Sequence, residues 1–444
     1  MIIGTASADP IRSNDYTVQF VGGPVFAPNR VTGLGGAYGG YAEGVEGTYA
    51  NSGAPAVREP FSLRYVDYDV SGSLYVPAFF QTYDVENRGA SGGRAAAAII
   101  TGLAGMLQIG RFGVSLSTDL QTYRLTTEPA VSLRFGLMRI LAAYGFFHGQ
   151  LAVGVGLRGV AVQMEQDGRG TLFVAGGASP EIGALLRLDN QPWRVGVTVR
   201  APVWSTDIQS PDGTAAGLIL PRQVILPAEL EAGVSVQIGA RPLNPPWISP
   251  LEQQQPVKHE VEAARAARRE DHERAIGASA DPMRTRARLE REENAIQRIE
   301  VERLSRESHR LEEARRARYL NWPRSKLLVV AGVLVTAPID NSVSVIDFLG
   351  QDNAPFGRSF TASPRFGLES EPIPDRLMMR IGGYVEPNRF EHGVARQHVT
   401  FGADLKLFAL SFFPPLKDTF LRLGMSFDLA PRYANWGLGL GVWH

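Results

Sequence analysis

The chain has no cysteine, no excess of either charge and no long apolar run, and each absence removes a class of answer. Without cysteine among 444 residues there are no disulfides, thiolate metal sites or cysteine nucleophiles, a composition that suits a protein crossing an oxidising space unfolded. Basic and acidic residues are equal at 45 each, so no global field points to nucleic acid or to an anionic surface. No stretch of about twenty apolar residues is available for a helical membrane span. Histidine is scarce. His148, His392, His398 and the terminal His444 fall outside any catalytic spacing, and His259, His272 and His309 sit in a charged stretch where solvated positions are expected. The sequence therefore predicts no enzyme, no metal site and no cofactor.

What is abundant is glycine, 48 residues, together with residue alternation. In WRVGVTVRAPV, Trp193, Val195, Val197 and Val199 face one way and Arg194, Gly196, Thr198 and Arg200 the other. TFLRLGMSFDL and HVTFGADLKLFAL repeat the pattern. Such strands belong either to a soluble sandwich, with the apolar face inward, or to a membrane barrel, with the apolar face toward lipid and a polar lumen. Periodicity alone leaves both open; strand number and connections discriminate. Fourteen segments of roughly ten residues can be marked: 61–79, 97–109, 112–125, 131–145, 150–164, 177–188, 193–203, 224–238, 326–338, 358–369, 375–386, 398–410, 419–429 and 434–443. An even count suits a single-chain outer-membrane barrel. Joints after segments 2, 4, 6, 10 and 12 are short and those after 1, 5, 7, 9 and 11 longer, the alternation expected of periplasmic turns and outer loops; TTEP after segment 3 is an exception.

Residues 239–325 interrupt this pattern. After the breaker run ARPLNPPWISP come strong helix formers of mixed charge, divided near Gly277 to Pro282. Leu289, Ile296, Leu304 and Leu311 recur every seven or eight residues, a thin stripe on a long helix. This is either a solvated helical hairpin or a coiled coil for a periplasmic protein partner bound through 250–320. Strand parity places it on the periplasmic side. Its arginines have acidic neighbours three or four residues away, so no nucleic acid is expected.

The N-terminus has two features. MIIGTASADP reads either as the remnant of a signal peptide over 1–8, with Ala6-Ser7-Ala8 in the form cut by signal peptidase, or as a disordered N-terminus. Residues 29–56 are rich in glycine and alanine but do not form a dinucleotide loop, because Tyr38 stands at the sixth position of the glycine pattern and no apolar strand leads into Gly33. Val31, Leu34, Tyr38, Tyr41, Val45 and Tyr49 argue against a free linker.

TGLGGAYGGYAEGVEGTYANSGAPA resembles the N-terminal hatch of the FadL-like family, outer-membrane transporters of long-chain fatty acids and other hydrophobic compounds. Thr32, Gly33, Leu34, Gly35, Ala37 and Tyr38 match the first half of its motif and Ala54-Pro55-Ala56 its end, with Ala54 where the family has asparagine and Asn51 three residues earlier. LPAELEAGVSV at 226 and PDRLMMRIGGYVEPNR at 374 resemble two of the family's strand starts. The resemblance implies an all-β, transmembrane outer-membrane barrel of fourteen antiparallel strands with a luminal plug over 9–60, strands 1–8 over 61–238, the helical insert over 239–325 and strands 9–14 over 326–444. Gly33, Leu34, Gly35, Ala37, Tyr38, Asn51 and Pro55 would belong to the plug, with Tyr38, Tyr41 and Tyr49 filling space against the wall.

The implied activity is passive uptake of a fatty acid or other hydrophobic small molecule across the outer membrane and its lipopolysaccharide, with lateral release into hydrocarbon. Capture would use apolar residues in outer loops: Leu172, Phe173 and Val174, then Leu218, Ile219 and Leu220, and more weakly Phe348 and Leu349. Packing of one loop on another is the competing account of these residues. The insert also admits a different function, a structural or secretion-linked barrel whose helices bind a partner.

Overall fold

The computed structural model describes residues 9–20, 23–59, 62, 64–77, 84–89, 95–125, 129–208, 213–321, 323, 325–391, 393–410 and 419–443. The signal-peptide remnant at 1–8, His392, the terminal His444 and the joint at 411–418 lie outside these residues. The chain falls into two compact units, one formed by 1–59, 68–246 and 323–444 and the other by 60–67 and 247–322.

The first unit contains a closed barrel of fourteen strands. In chain order they are β1 (Val66–Val76), β2 (Ala95–Ile109), β3 (Phe112–Leu125), β4 (Val131–Phe146), β5 (Leu151–Gln166), β6 (Gly170–Leu186), β7 (Trp193–Arg200), β8 (Glu229–Gly239), β9 (Lys326–Thr336), β10 (Thr361–Ile373), β11 (Leu377–Glu386), β12 (Arg396–Ala409), β13 (Phe420–Ala430) and β14 (Tyr433–Trp443). Each strand pairs with its sequence neighbour and β14 returns to β1.

Burial decides between sandwich and membrane barrel. In β7, Val195, Val197 and Val199 are 42–48% exposed, whereas Arg194, Thr198 and Arg200 are at most 5% exposed. The same inversion recurs around the wall, with Leu103, Leu116, Leu157, Ile182, Phe401 and Leu440 turned outward. An apolar belt of this extent is stable only against hydrocarbon, so the barrel is a membrane-spanning one.

Turns at one end are tight. Gly110, in the left-handed region at φ +58°, turns β2 into β3, and 374–376 joins β10 to β11. This is the end at which the chain departs after β8 and returns at β9, and we call it the inner end. At the outer end the segments 201–228 and 337–360 are long, but the rule of long outer loops fails three times. Only 126–130 separates β3 from β4, the exception expected from the sequence, only 167–169 joins β5 to β6, and only 431–432 joins β13 to β14. The expected loop at 165–176 is instead a hairpin turning on Gly168 and Gly170, both at positive φ. Leu172, Phe173 and Val174 are therefore strand residues of β6, paired with β5 through Phe173 and Met164 and through Val174 and Gln163.

The long outer segments fold back on the lumen. Val203–Trp204 and Gln223–Leu226 pair with each other, and Thr17–Gln19 adds in parallel between Gln223–Leu226 and Ser342–Val343. This four-stranded cap ties the N-terminal segment to two outer loops. The chain then descends to the plug, which has little regular structure: α1 (Asn29–Gly33), α2 (Gly44–Gly47) and a single turn at Ala54–Ala56.

The second unit is an antiparallel hairpin of α3 (Pro250–Gly277) and α4 (Pro282–Leu320). Proline at the first position and a side-chain cap start each helix: Ser249 accepts from the Leu251 N–H and Asp281 from the Arg284 N–H. The helices pair with each other, Gln254 to Ser308, Arg265 to Glu300 and Arg268 to Glu293. Leu289 of the expected stripe and Val261 of α3 are buried, while Ile296, Leu304 and Leu311 are half-buried.

Candidate functional site

The lumen is organised in three levels, an apolar cap, a chamber and the plug. Of the eight residues expected to capture solute, seven converge at the cap. Phe173, Leu220 and Phe348 are buried in one cluster with Phe20, Phe135 and Met164, and Leu172, Leu218 and Ile219 pack against it half-buried. Leu349 belongs to the same cluster, whereas Val174 points outward and is 63% exposed. Phe348 is carried by a short helix, α5 (Val345–Gly350), whose Ser344 cap accepts from the Asp347 N–H. Phe20 stacks on Phe135 at 4.3 Å between ring centroids, so the N-terminal segment shares this core. The residues thus form a packed lid.

Beneath the cap is a chamber of about 240 Å³ whose walls are of two kinds. Phe20, Val25, Phe26, Leu137 and Leu334 give it apolar surface; Arg158, Arg200, Arg365, Arg389, Glu229 and Glu231 give it charge. Most of that charge is internally neutralised. Arg158 meets Glu229 at 2.9 Å and Arg200 meets Glu231 at 2.8 Å. Arg389 differs. It is buried and held by neutral oxygens, those of Thr361 at 2.9 Å, Ala337 at 3.2 Å and, with the Gln19 amide turned to present its oxygen, Gln19 at 2.7 Å. No carboxylate ion-pairs with Arg389 among the described residues. A guanidinium bonded only to neutral groups leaves positive potential on the chamber wall.

The plug closes the lumen below. Leu34, Tyr38, Ala54 and Asn51 are completely buried, and Gly33, Gly35, Ala37 and Pro55 are buried with them. Tyr38 and Tyr41 meet edge to face at 5.3 Å and Tyr49 is half-buried, donating to Asp119 at 3.2 Å. Because the plug has so little helix, its backbone carbonyls need other partners. The polar face of the barrel supplies them: Thr400 donates to the Gly33 oxygen, Ser235 to Gly40, Arg139 to Tyr49, Arg200 to Ala50 and Gln108 to Pro55. Ion pairs add to these bonds. Arg30 binds Glu369 through two nitrogens, at 2.9 and 2.8 Å, and Glu46 meets Arg422 at 2.9 Å.

No family model and no curated protein sequence matches the chain. Solved structures are similar to it. One is described as the CymD monoaromatic hydrocarbon channel, with 11% identity over 94% of this chain and 96% of that one and a TM-score of 0.49. A Pseudomonas aeruginosa FadL homologue has 11% identity over 95% and 99%, with a TM-score of 0.48. The P. putida toluene transporter TodX has 12% identity over 93% and 96%, with a TM-score of 0.45.

Two polar groups have an environment that the sequence does not signal. Arg389 lies in an outer connection with no periodicity to flag its direction. His398 alternates correctly in β12, but its partners come from other strands: Nδ1 is 2.7 Å from Asp428 and Nε2 2.7 Å from Glu386, with Tyr384 stacked on the ring. Both ring nitrogens are engaged by carboxylates, so the imidazole holds strands together and has no free nitrogen to act as a base. His148 is exposed in the turn between β4 and β5.

Proposed function

We propose that the protein is a FadL-like outer-membrane channel for the passive uptake of long-chain fatty acids or similar hydrophobic molecules. The observation that carries the reading is a luminal chamber with both apolar and charged walls, lying between an apolar cluster of outer-loop residues and the plug. A hydrophobic molecule crosses the lipopolysaccharide layer poorly and gains free energy on entering the apolar lid, roughly 0.8 kcal/mol for each methylene removed from water. Leu172, Phe173, Leu218, Ile219, Leu220 and Phe348 act here as a lid that solute parts, and exit follows movement of the plug. The Arg389 guanidinium favours a solute with an anionic head.

Uptake of labelled oleate and of a neutral aromatic hydrocarbon into cells carrying the protein tests the reading. Arg389→Gln is expected to lower oleate uptake about tenfold, the effect of about 1.4 kcal/mol, while sparing the hydrocarbon. Equal uptake of both solutes by cells with and without the protein would refute transport. The helical hairpin supports a second role, docking of a periplasmic protein through 250–320. Removing 247–322 is expected to leave uptake intact and abolish any complex.

A further inference from the structure

The segment that leads from β8 into the helices, residues 240–246, does not simply leave the barrel. Leu243 is buried against the plug in one cluster with Val31, Leu34, Tyr38 and Tyr41. Asn244 is completely buried. Its amide donates to the carbonyls of Gln191 at 2.9 Å and Trp193 at 2.8 Å, and its own carbonyl accepts from the Asn190 N–H at 2.8 Å.

Arg194 joins this stem to the plug. Fully buried, it donates to Asn244 Oδ1 at 2.6 Å and the Leu243 carbonyl at 2.7 Å on one side, and to Glu43 at 2.6 Å and the Tyr41 carbonyl at 2.9 Å on the other. Arg187 repeats the device, donating to the Arg58 carbonyl at 2.7 Å and the Pro245 carbonyl at 3.2 Å. The returning chain is tied in as well. Lys326, the first residue of β9, meets Glu369 at 3.0 Å, and Glu369 is the carboxylate that holds Arg30 of the plug. Tyr41 lies between the two ties, its ring centroid 5.0 Å from the Arg30 guanidinium and 5.1 Å from that of Arg194.

We propose that the stem 240–246 is a latch on the plug, and that the lumen opens at its inner end only when the stem lets go of Arg194 and the plug core. Three stem residues are proline, Pro242, Pro245 and Pro246. Their fixed φ prevents the stem from absorbing displacement by local rotation, as a glycine linker would. Moving the plug alone would strip Glu43 of its buried partner, so plug and stem hold each other.

Ion conductance through purified full-length protein in planar bilayers tests the latch without reference to any solute, so its outcome is independent of the transport reading. Asn244→Ala leaves the Arg194 to Glu43 pair in place and removes the stem's anchor; the open fraction is expected to rise at least tenfold. Leu243→Ala removes the apolar wedge and no side-chain hydrogen bond, and gives the same direction should the first variant fail to assemble. A Gly-Gly-Ser insertion between Pro246 and Trp247 leaves the latch intact and is expected to stay closed like the parent. Folded Asn244→Ala and Leu243→Ala barrels with the parent's closed conductance would overturn the proposal, as would opening by the insertion alone.

Discussion

Gly33 of the plug and Gly402 of β12 meet backbone to backbone: a Cβ built on Gly33 would stand 2.9 Å from the Gly402 Cα. The contact is one of several at which a wall glycine lets the plug backbone rest directly on the barrel. Glycine is needed here for its missing side chain, because the lumen has no room for one between two main chains.

Alanine at these positions should therefore act as a graded wedge. A Cβ on Gly402 would lie 3.1 Å from the Gly33 Cα, a squeeze that a small shift relieves, whereas one on Gly382 would lie 2.5 Å from the Gly35 nitrogen and the Leu34 carbonyl carbon, where something must move. Gly105 of β2 has nothing within 4 Å. Hydrogen exchange over 29–58 should rise little for Gly105→Ala, moderately for Gly402→Ala and most for Gly382→Ala, the last costing about 1–3 kcal/mol of plug docking. Equal exchange in all three would show that the plug does not sit on these glycines.

Asn51 is the plug's central polar fastener. Its amide donates to the carbonyls of Gly39 at 3.1 Å and Ala184 at 3.0 Å, and its oxygen accepts from the Gly53 N–H at 2.8 Å. Asn51→Ala leaves three buried backbone groups without these partners and should weaken plug docking by about 2–4 kcal/mol. Limited proteolysis of the assembled barrel should then cut within 29–58 at least tenfold faster. Asn51→Asp keeps the acceptor but sets a carboxylate against two carbonyls, so it should be no better than alanine.

The cap carries a pH dependence of definite sign. Glu86, in the connection between β1 and β2, accepts from the Ile346 N–H at 3.2 Å, and burial beside Asp347 pushes its carboxyl from the ordinary 4.5 up to about 8, against the hydrogen bond from Ser344 and the attraction of Arg88. The packed loop thus holds a proton that the released loop has lost between about pH 4.5 and 8. Packing is strongest below that window and weakens as pH rises through it, by at most about 1.4 kcal/mol per pH unit. Hydrogen exchange at 345–350, corrected for its intrinsic pH dependence, should accelerate from pH 5.5 to 8. Glu86→Gln should reduce the slope, leaving the part due to Asp347, whose carboxyl burial pushes up to about 6.

The barrel is legible because alternation survives in wall segments such as 193–203, 398–410 and 419–429, and parity of strands and turns then predicts the end at which the insert departs. Alternation also carries the polar direction of Arg194 and Arg200, but not their partners. Arg194 binds Glu43 and Asn244, contacts that no local pattern encodes because they depend on how the plug and the stem meet inside the closed barrel. The outer end misleads for a physical reason. Leu172 to Val174 follow a glycine-rich turn and look like an apolar loop, yet the strand continues through them with Phe173 inward and Val174 outward. Asn51 makes three buried hydrogen bonds, to Gly39, Ala184 and Gly53, and its position in the sequence gives no hint of them.

The helical hairpin is held mainly by charge, and its stability should report that. Along the α3 to α4 contact Arg265 meets Glu300 at 2.7 Å, Arg268 meets Glu300 at 2.5 Å and Glu293 at 3.0 Å, and Arg303 meets Glu260 at 2.7 Å. Val261 and Leu289 provide buried apolar contact, too little to hold helices of this length by hydrophobic burial. Burial raises the Glu300 carboxyl, but hydrogen bonds from Arg265 and Arg268 more than offset this and hold it below the ordinary range. Exposed pairs of this kind contribute about 0.2–1 kcal/mol each and are screened by salt within about 10 Å at 0.1 M. Raising salt from 0.05 to 1 M should therefore lower the melting of the helical circular-dichroism signal while leaving the barrel's strand signal in place. Glu300→Gln removes the charge shared by two arginines and should abolish a large part of that salt dependence. An unchanged helical melt at high salt would place the hairpin's stability in its apolar stripe instead.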